Sequence, residues 1–308
     1  MTFDANSLLH AAQQVAGGQQ YPKGALYLVA TPIGNLADIT LRAVQALALA
    51  DVVACEDTRV TGQFLRHLGM DKKLVPLHQH NEVSGAQALV RQMQDGARVA
   101  YVSDAGTPAV SDPGAHLVAA AQSAGLPVVP LPGASSVVTA VSVAGDTQAQ
   151  GFRFIGFLPS KGAQRSAALR DIATQPYSLV LFEAPHRIEA LAKELHEALP
   201  LGRVTVCREL TKQFEEIATV PIRELGAWVA ENGHRQRGEF VLVVHAQPVA
   251  EDEAVLTPAQ AELFKHLLQH FPVKQAAGLV SDATGHPRKA LYDMALAWKQ
   301  ERDHEHDD

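Results

Sequence analysis

Three stretches of the sequence combine proline or glycine with short polar side chains. They are Thr31-Pro32-Ile33-Gly34-Asn35-Leu36, Ser103-Asp104-Ala105-Gly106-Thr107-Pro108 with Ser111-Asp112-Pro113-Gly114 just beyond, and Pro132-Gly133-Ala134-Ser135-Ser136. Such residues let a backbone approach a ligand closely and hydrogen-bond it. Each stretch follows a short apolar run of strand type, so all three fall at the strand ends where open α/β sheets bind ligands. One such loop reads as a tight turn. Three at one sheet edge read as a ligand crevice. A second set carries charge. Glu56-Asp57-Thr58-Arg59 sets an acidic-basic pair at the end of a strand. Ser160-Lys161 and Arg165 open a helix, where dipole and cation together favour an anion. Glu183-Ala184-Pro185-His186-Arg187 joins a strand to a helix, with Pro185 near the first helical position. Glu183 has two readings, a reacting carboxylate or one favoured there by the helix dipole.

Missing motifs narrow the ligand. The chain has no GxGxxG, no GxxxxGK[ST] and no GxSxG, so the usual cradles for dinucleotides and triphosphates and the usual serine elbow are absent. His78-x-His80 falls short of a metal site, and His304 and His306 lie in an acidic tail, so no metal is expected. Cys55 and Cys207 support neither a disulfide framework nor a cysteine zinc cluster, which fits a reducing cytoplasm. The crevice suits a ligand without phosphates, held by backbone groups and small polar side chains.

Short apolar strands are expected at Ala25–Ala30, Val52–Ala54, Leu74–Leu77, Val99–Val102 and Val128–Leu131, with helices near Leu41–Leu49, Thr61–Leu68, Gly85–Gln94 and Ala115–Ala124. That alternation implies a mainly parallel sheet covered on both faces. A second series has strands at Phe154–Phe157, Ser178–Phe182, Val204–Cys207 and Phe240–Val244, with helices near Ala163–Ile172, Arg187–Leu199 and Ile222–Glu231. The polar run Gly145–Gly151 marks the joint between them, and Pro248–Glu253 a second linker. The division expected is a disordered 1–22, α/β domains at 23–147 and 148–247, short helices over 254–300 and an acidic tail, 301–308.

The 308 residues exceed a typical single core, and 47% hydrophobic content excludes wholesale disorder. No apolar run reaches the roughly 20 residues of a membrane helix, and residues 1–22 lack a signal-peptide core. The net charge of −7 argues against a non-specific nucleic-acid coat. Its distribution leaves room for a basic cleft, since residues 151–247 hold 12 bases against 11 acids while 248–308 hold 6 against 11.

In chain order, these strings resemble the tetrapyrrole methylase superfamily of S-adenosylmethionine-dependent enzymes: LYLVATPIGNLADIT (26–40), CEDTR (55–59), HNE (80–82), VSDAGTPAVSDPG (102–114), PLPGASS (130–136), GFLPSK (156–161), RELTK (208–212) and GEFVLVV (238–244). Thr31 to Leu36 replaces the glycine-rich first loop of the porphyrin-directed branch, which favours the branch acting on ribosomal RNA. Pro132-Gly133-Ala134 replaces the more usual Pro-Gly-Pro.

The resemblance implies two α/β domains of the tetrapyrrole methylase type with the cofactor in the cleft between them, plus a small helix-turn-helix-like segment. By position, Pro32, Gly34, Asp104, Ala105, Gly106, Thr107, Ser135 and Ser136 would bind S-adenosylmethionine from the first domain. Ala184, Leu210, Gly238 and Glu239 would do so from the second, beside Glu183. Asp104 reads either as a ligand of the ribose or ammonium groups or as a turn-initiating residue. The implied reaction is 2′-O-methylation of a cytidine in the decoding region of 16S rRNA, on the RNA or the small subunit, by a cytoplasmic homodimer. Asp57, Lys161 and Glu183 are the candidates for catalysis; Arg59, Lys161, Arg165, Arg187, Arg288 and Lys289 are those for RNA contact. The terminal helices read equally as phosphate contacts or as a packing cap. Two rivals remain: a tetrapyrrole-precursor methyltransferase, and a ligand-sensing helix-turn-helix regulator.

Overall fold

The structure, a computed structural model, describes residues 4–78, 81–110, 113–247 and 256–304, the last five as backbone alone. The chain forms two compact units, Met1–His245 and Ala246–Asp308. The first opens with α1 (Ala5–Ala16), followed by β1 (Leu26–Val29), α2 (Leu41–Leu49), β2 (Val52–Cys55), α3 (Thr58–His67) and β3 (Leu74–Pro76). Next come α4 (Glu82–Gln94), β4 (Val99–Val102), α5 (Ala115–Ser123), β5 (Val128–Leu131) and α6 (Ser136–Ala144). These strands form one parallel sheet in the order β3-β2-β4-β1-β5. Strands β2 and β4 are buried at every residue, as helices on both faces of a parallel sheet require.

The disordered 1–22 is corrected by α1. Asp4 caps it by accepting from Asn6 N at 3.1 Å, and Ala12 and Ala16 are fully buried, with Leu8 and Leu9 packed on the core that α2 also covers. Apolar residues at i, i+1, i+4 and i+8 supply the buried stripe, hidden in sequence by the glutamines around it.

A second sheet follows α6. It comprises β6 (Phe152–Phe157), β7 (Ser178–Glu183), β8 (Arg203–Arg208), β9 (Glu216–Pro221) and β10 (Phe240–Val244), ordered β6-β7-β10-β8-β9. Between them run α7 (Ala163–Ile172), α8 (Ile188–Ala198) and α9 (Ile222–Ala230). Only β6 and β7 pair in parallel; the other pairings are antiparallel. Strand β9 was not expected, because this edge strand is half exposed and mixes polar with apolar residues. Helix α6 was also unexpected, since its Val, Ser and Thr content gives little helical signal. The joint 145–151 turns at Gly145 (φ +64°), and Asp146 accepts from Ser178 Oγ at 2.8 Å.

The second unit holds α10 (Pro258–His270), α11 (Val273–Thr284) and α12 (Arg288–His304) around Phe264, Ala276, Ala277, Val280, Leu291 and Ala295. Thr257 and Gln260 cap α10 reciprocally, and Gly285 (φ +76°) ends α11. Helix α12 runs to His304, so the tail begins as helix; residues 305–308, His80, Ser111, Asp112 and the linker 248–253 lie outside the described residues. No helix among the described residues is long and apolar enough to cross a membrane.

Candidate active site

The loops after β1 and β4 lie side by side. Thr31 and Gly106 form an antiparallel bridge between them, donating to each other's carbonyls at 2.9 and 3.0 Å. Thr31 Oγ1 donates to Ser103 O at 3.2 Å, and Ser103 Oγ donates back to Gly106 O at 3.2 Å. The two loops make one stiff wall, with a cavity on either side.

The first cavity, about 410 Å³, opens between the two sheets. Ala105, Gly106, Thr107, Ser135, Ser136, Ala184, Leu210 and Glu239 line it, with the buried Glu183. Eight of the twelve residues expected at a cofactor therefore converge on one space. Ile33, Val137, Phe182 and Val241 supply apolar walls. Sequence reasoning missed them because they look like any core residue of a strand or helix.

Backbone strain concentrates at the rim. Glu209 and Thr211 have φ of +52° and +64°, flanking Leu210, and Ala109 has +63° beside Val110 of the lining. Glu209 is held by Glu239 N and Lys212 Nζ, both at 2.9 Å from its Oε1. Burial raises its carboxyl, but those bonds with the Lys212 and Arg208 charges outweigh it, and the net shift is downward. Gly238 (φ +93°) lets this happen, because a Cβ there would stand 2.7 Å from the Glu209 carboxyl group. Its role is close approach and not lining. Gly34 does the same across the halves, where a Cβ would come 2.9 Å from Leu210 O.

Pro32, Gly34 and Asp104 line the second cavity instead, about 300 Å³, together with Thr61, Gln63, Phe64 and His67 of α3. Asp104 Oδ1 accepts from Asp57 N at 3.2 Å, which brings the loops after β2 and β4 together.

The charged candidates divide. Asp57 caps α3 through Arg59 N at 2.8 Å and is clasped by the Arg59 guanidinium at 2.6 to 3.2 Å. The Arg59 side-chain hydrogen bonds, then its backbone one, hold the Asp57 carboxyl at about 2. So low a value makes it a poor proton acceptor, which corrects Asp57 as base. Arg59 itself stays 90% exposed. Glu183 is sealed in, accepting from Ala184 N at 2.9 Å, with Arg187 Nε at 3.1 Å and Arg165 at 3.8 Å. Arg165 is buried and bound to Glu194 and Pro159 O, while Arg187 also donates to Leu158 O. Both guanidiniums are engaged inside the fold, which speaks against the RNA contact expected of them. Lys161 remains exposed in a shallow depression beside Arg170. Arg288 leans on Gly278 and donates to Lys274 O at 3.4 Å, leaving Lys289 the freer cation of that pair. Cys207 lines the first cavity, but burial pushes its thiol up to about 12, so it is no nucleophile. No metal-binding group of three His, Cys, Asp or Glu occurs among the described residues.

Glu56, directly after β2, has its carboxyl raised by burial first, then by the charges of Asp104 and Asp57, with His78 opposing. A folded-state value above the unfolded one means the ionised carboxylate weakens the fold; the penalty is absent below the unfolded value and complete above the folded one. Glu56→Gln is therefore expected to raise Tm at about pH 8 and to lose that gain by about pH 4, as thermal melts across the range would show.

Residues 25–226 match the family model described as Tetrapyrrole (Corrin/Porphyrin) Methylases, and residues 254–299 match the RsmI C-terminal HTH domain. Over 276 residues the chain is 45% identical to Ribosomal RNA small subunit methyltransferase I of Neisseria meningitidis serogroup B, covering 90% of this chain and 94% of that one. The like-named protein of Escherichia coli O157:H7 is 44% identical, covering 89% and 95%. Among solved structures, uroporphyrin-III-C-methyltransferase from Thermus thermophilus shares the fold, with a TM-score of 0.51, 23% identity, and 72% and 94% covered. The same enzyme complexed with S-adenosyl homocysteine gives a TM-score of 0.50 at 21% identity, with 72% and 97% covered.

Proposed function

The chain belongs to the tetrapyrrole methylase family and, within it, to the group of ribosomal RNA small subunit methyltransferase I; from that premise we propose that it transfers a methyl group from S-adenosylmethionine to a ribose 2′-hydroxyl of a cytidine in 16S rRNA. The observation that carries the reading is the pair of cavities on one loop wall, one suited to a donor and the other open to an acceptor.

The first cavity fits the cofactor by its chemistry. A zwitterion bearing an adenine needs apolar plates and amide groups more than cationic clamps, and the lining is of that kind. Ala105, Gly106, Ser135 and Ala184 are small enough for the backbone beside them to reach a ligand. The buried Glu183 Oε2 has no hydrogen-bond partner and faces the Arg165 guanidinium at 3.8 Å. When bound, S-adenosylmethionine supplies the activated methyl group.

The protein's own task is to align the acceptor oxygen and take its proton. Asp104 is our candidate acceptor, an exposed carboxylate on the shared wall whose other oxygen is steadied by Asp57 N. Lys161 and Lys289 are exposed and free to meet phosphates, and Lys161→Ala is expected to weaken RNA binding severalfold and lower its salt slope by about one, with cofactor affinity unchanged. Titrations at several salt concentrations check this, and an unaltered slope removes Lys161.

The partners proposed are the small subunit and a second copy of the chain, in the cytoplasm. Val138 and Val143 of α6 and Phe152 of β6 are exposed, apolar surface that a second copy would cover. Incubation with labelled S-adenosylmethionine and either small subunits lacking the modification or a tetrapyrrole precursor tests the function. Label in the RNA alone is expected; label in the tetrapyrrole alone would replace this reading with its rival.

A further inference from the structure

We propose that the second cavity, between α3 and the loops after β1 and β4, receives the base of the acceptor nucleotide, with the Gln63 amide reading its edge. The inference rests on the function proposed above and goes further by assigning the acceptor a place. The two loops divide between the cavities: Ile33 and Ala105 to Thr107 line the first, and Thr31, Pro32, Gly34, Ser103 and Asp104 the second. Transfer of a methyl group requires donor and acceptor within a few ångströms, and a base seated behind this wall brings its ribose to the wall's rim.

The lining suits an unstacked base. Val60 and Leu36 are exposed apolar side chains and Phe64 is half-buried, together offering a surface for a base face. Gln63 is exposed on the same helix and its side chain has no hydrogen bond among the described residues, so its amide can both donate and accept. Thr61, Thr31 and Ser103 are instead buried, and the last two are bonded to backbone. Arg59, at the start of α3, is 90% exposed but tied to Asp57 by three side-chain hydrogen bonds, so it keeps that carboxylate from competing for the proton. The cavity's volume, about 300 Å³, admits one base and not a duplex.

In the step this serves, a bond forms between the 2′-oxygen and the methyl carbon as the carbon–sulfur bond opens. The bonding pair stays on sulfur and neutralises the sulfonium, and the hydroxyl proton passes to the Asp104 carboxylate. No further reactant is needed.

Val60→Trp, at a position already 43% exposed, would fill the cavity without disturbing the core. The full chain carrying it should transfer methyl to unmodified small subunits at least about a hundredfold more slowly, because a misplaced acceptor loses alignment. Its affinity for S-adenosylmethionine, measured by titration calorimetry, should stay within about twofold and would report that it folds. Gln63→Ala gives an independent reading. Against subunits with each alternative base at the mapped target, it should lose about tenfold of the discrimination the unsubstituted protein shows. Val60→Trp with undiminished transfer, or Gln63→Ala with undiminished discrimination, would overturn the proposal. Failure of the unsubstituted protein to methylate subunits at all would remove the parent reading first, and this one with it.

Discussion

Asp104→Asn is expected to slow methyl transfer by about 10²–10⁴-fold, the usual worth of a positioned proton acceptor, while S-adenosylmethionine binds as before. The substitution is nearly isosteric, and its amide oxygen can still accept from Asp57 N, at 3.2 Å in the parent. Loop geometry should therefore survive, and with it the Thr31–Gly106 bridge that separates the two cavities. What disappears is the basic oxygen on the wall they share. Asp57 cannot take over, because Arg59 holds its carboxyl at about 2 and both its oxygens are occupied. Glu183 cannot either, with its side chain fully buried and Arg187 and Arg165 against it. Single-turnover rates with saturating cofactor make the comparison, and calorimetric titration separates chemistry from binding. A variant with a normal rate would mean that proximity and loss of the proton to water suffice. A variant that loses cofactor affinity instead would return Asp104 to the ribose or ammonium of the cofactor.

The second large effect concerns the fold. Glu183→Ala leaves Arg165, 7% exposed, and Arg187, 24% exposed, facing an empty site, and Ala184 N without its acceptor. Removing one partner of a buried ion pair costs about 3–5 kcal/mol, and the lower end applies because Arg165 keeps Glu194 and Arg187 is partly hydrated. For a unit of this size that lowers Tm by on the order of 10 °C. Glu183→Gln keeps the shape and an acceptor for Ala184 N, so its loss should be smaller. Differential scanning calorimetry of both variants measures the difference. Equal and slight shifts would show that the arginines find other partners and that Glu183 adds little to the fold.

Much of this arrangement was legible in the residues. The buried strands of the first sheet announce themselves as continuous apolar runs, and the loops after β4 and β5 carry the small and polar residues that line the first cavity. What could not be read was direction. Nothing in Thr31 to Leu36 says that Ile33 faces one cavity while Pro32 and Gly34 face the other; that follows from the bridge to Gly106, a contact across 75 positions of sequence. Arg165 and Arg187 looked like phosphate ligands because a helix start favours anions. Their partners Glu194 and Glu183 lie on other elements, and only packing reveals that these charges are internal. The role of α3 was hidden for a different reason. Val60, Gln63, Phe64 and His67 have ordinary helical spacing, and a cavity face cannot be told from a core face by periodicity.

The central claim is transfer to a ribose oxygen, and the most direct test is the chemical position of the methyl group in the product. Small subunits labelled by this protein would be extracted, and their RNA hydrolysed with alkali and then with nuclease. A 2′-O-methyl group blocks cleavage of the adjoining phosphodiester, so the account predicts the label in a single alkali-resistant dinucleotide whose first residue is a cytidine. Label released on a mononucleotide methylated at its base would contradict it.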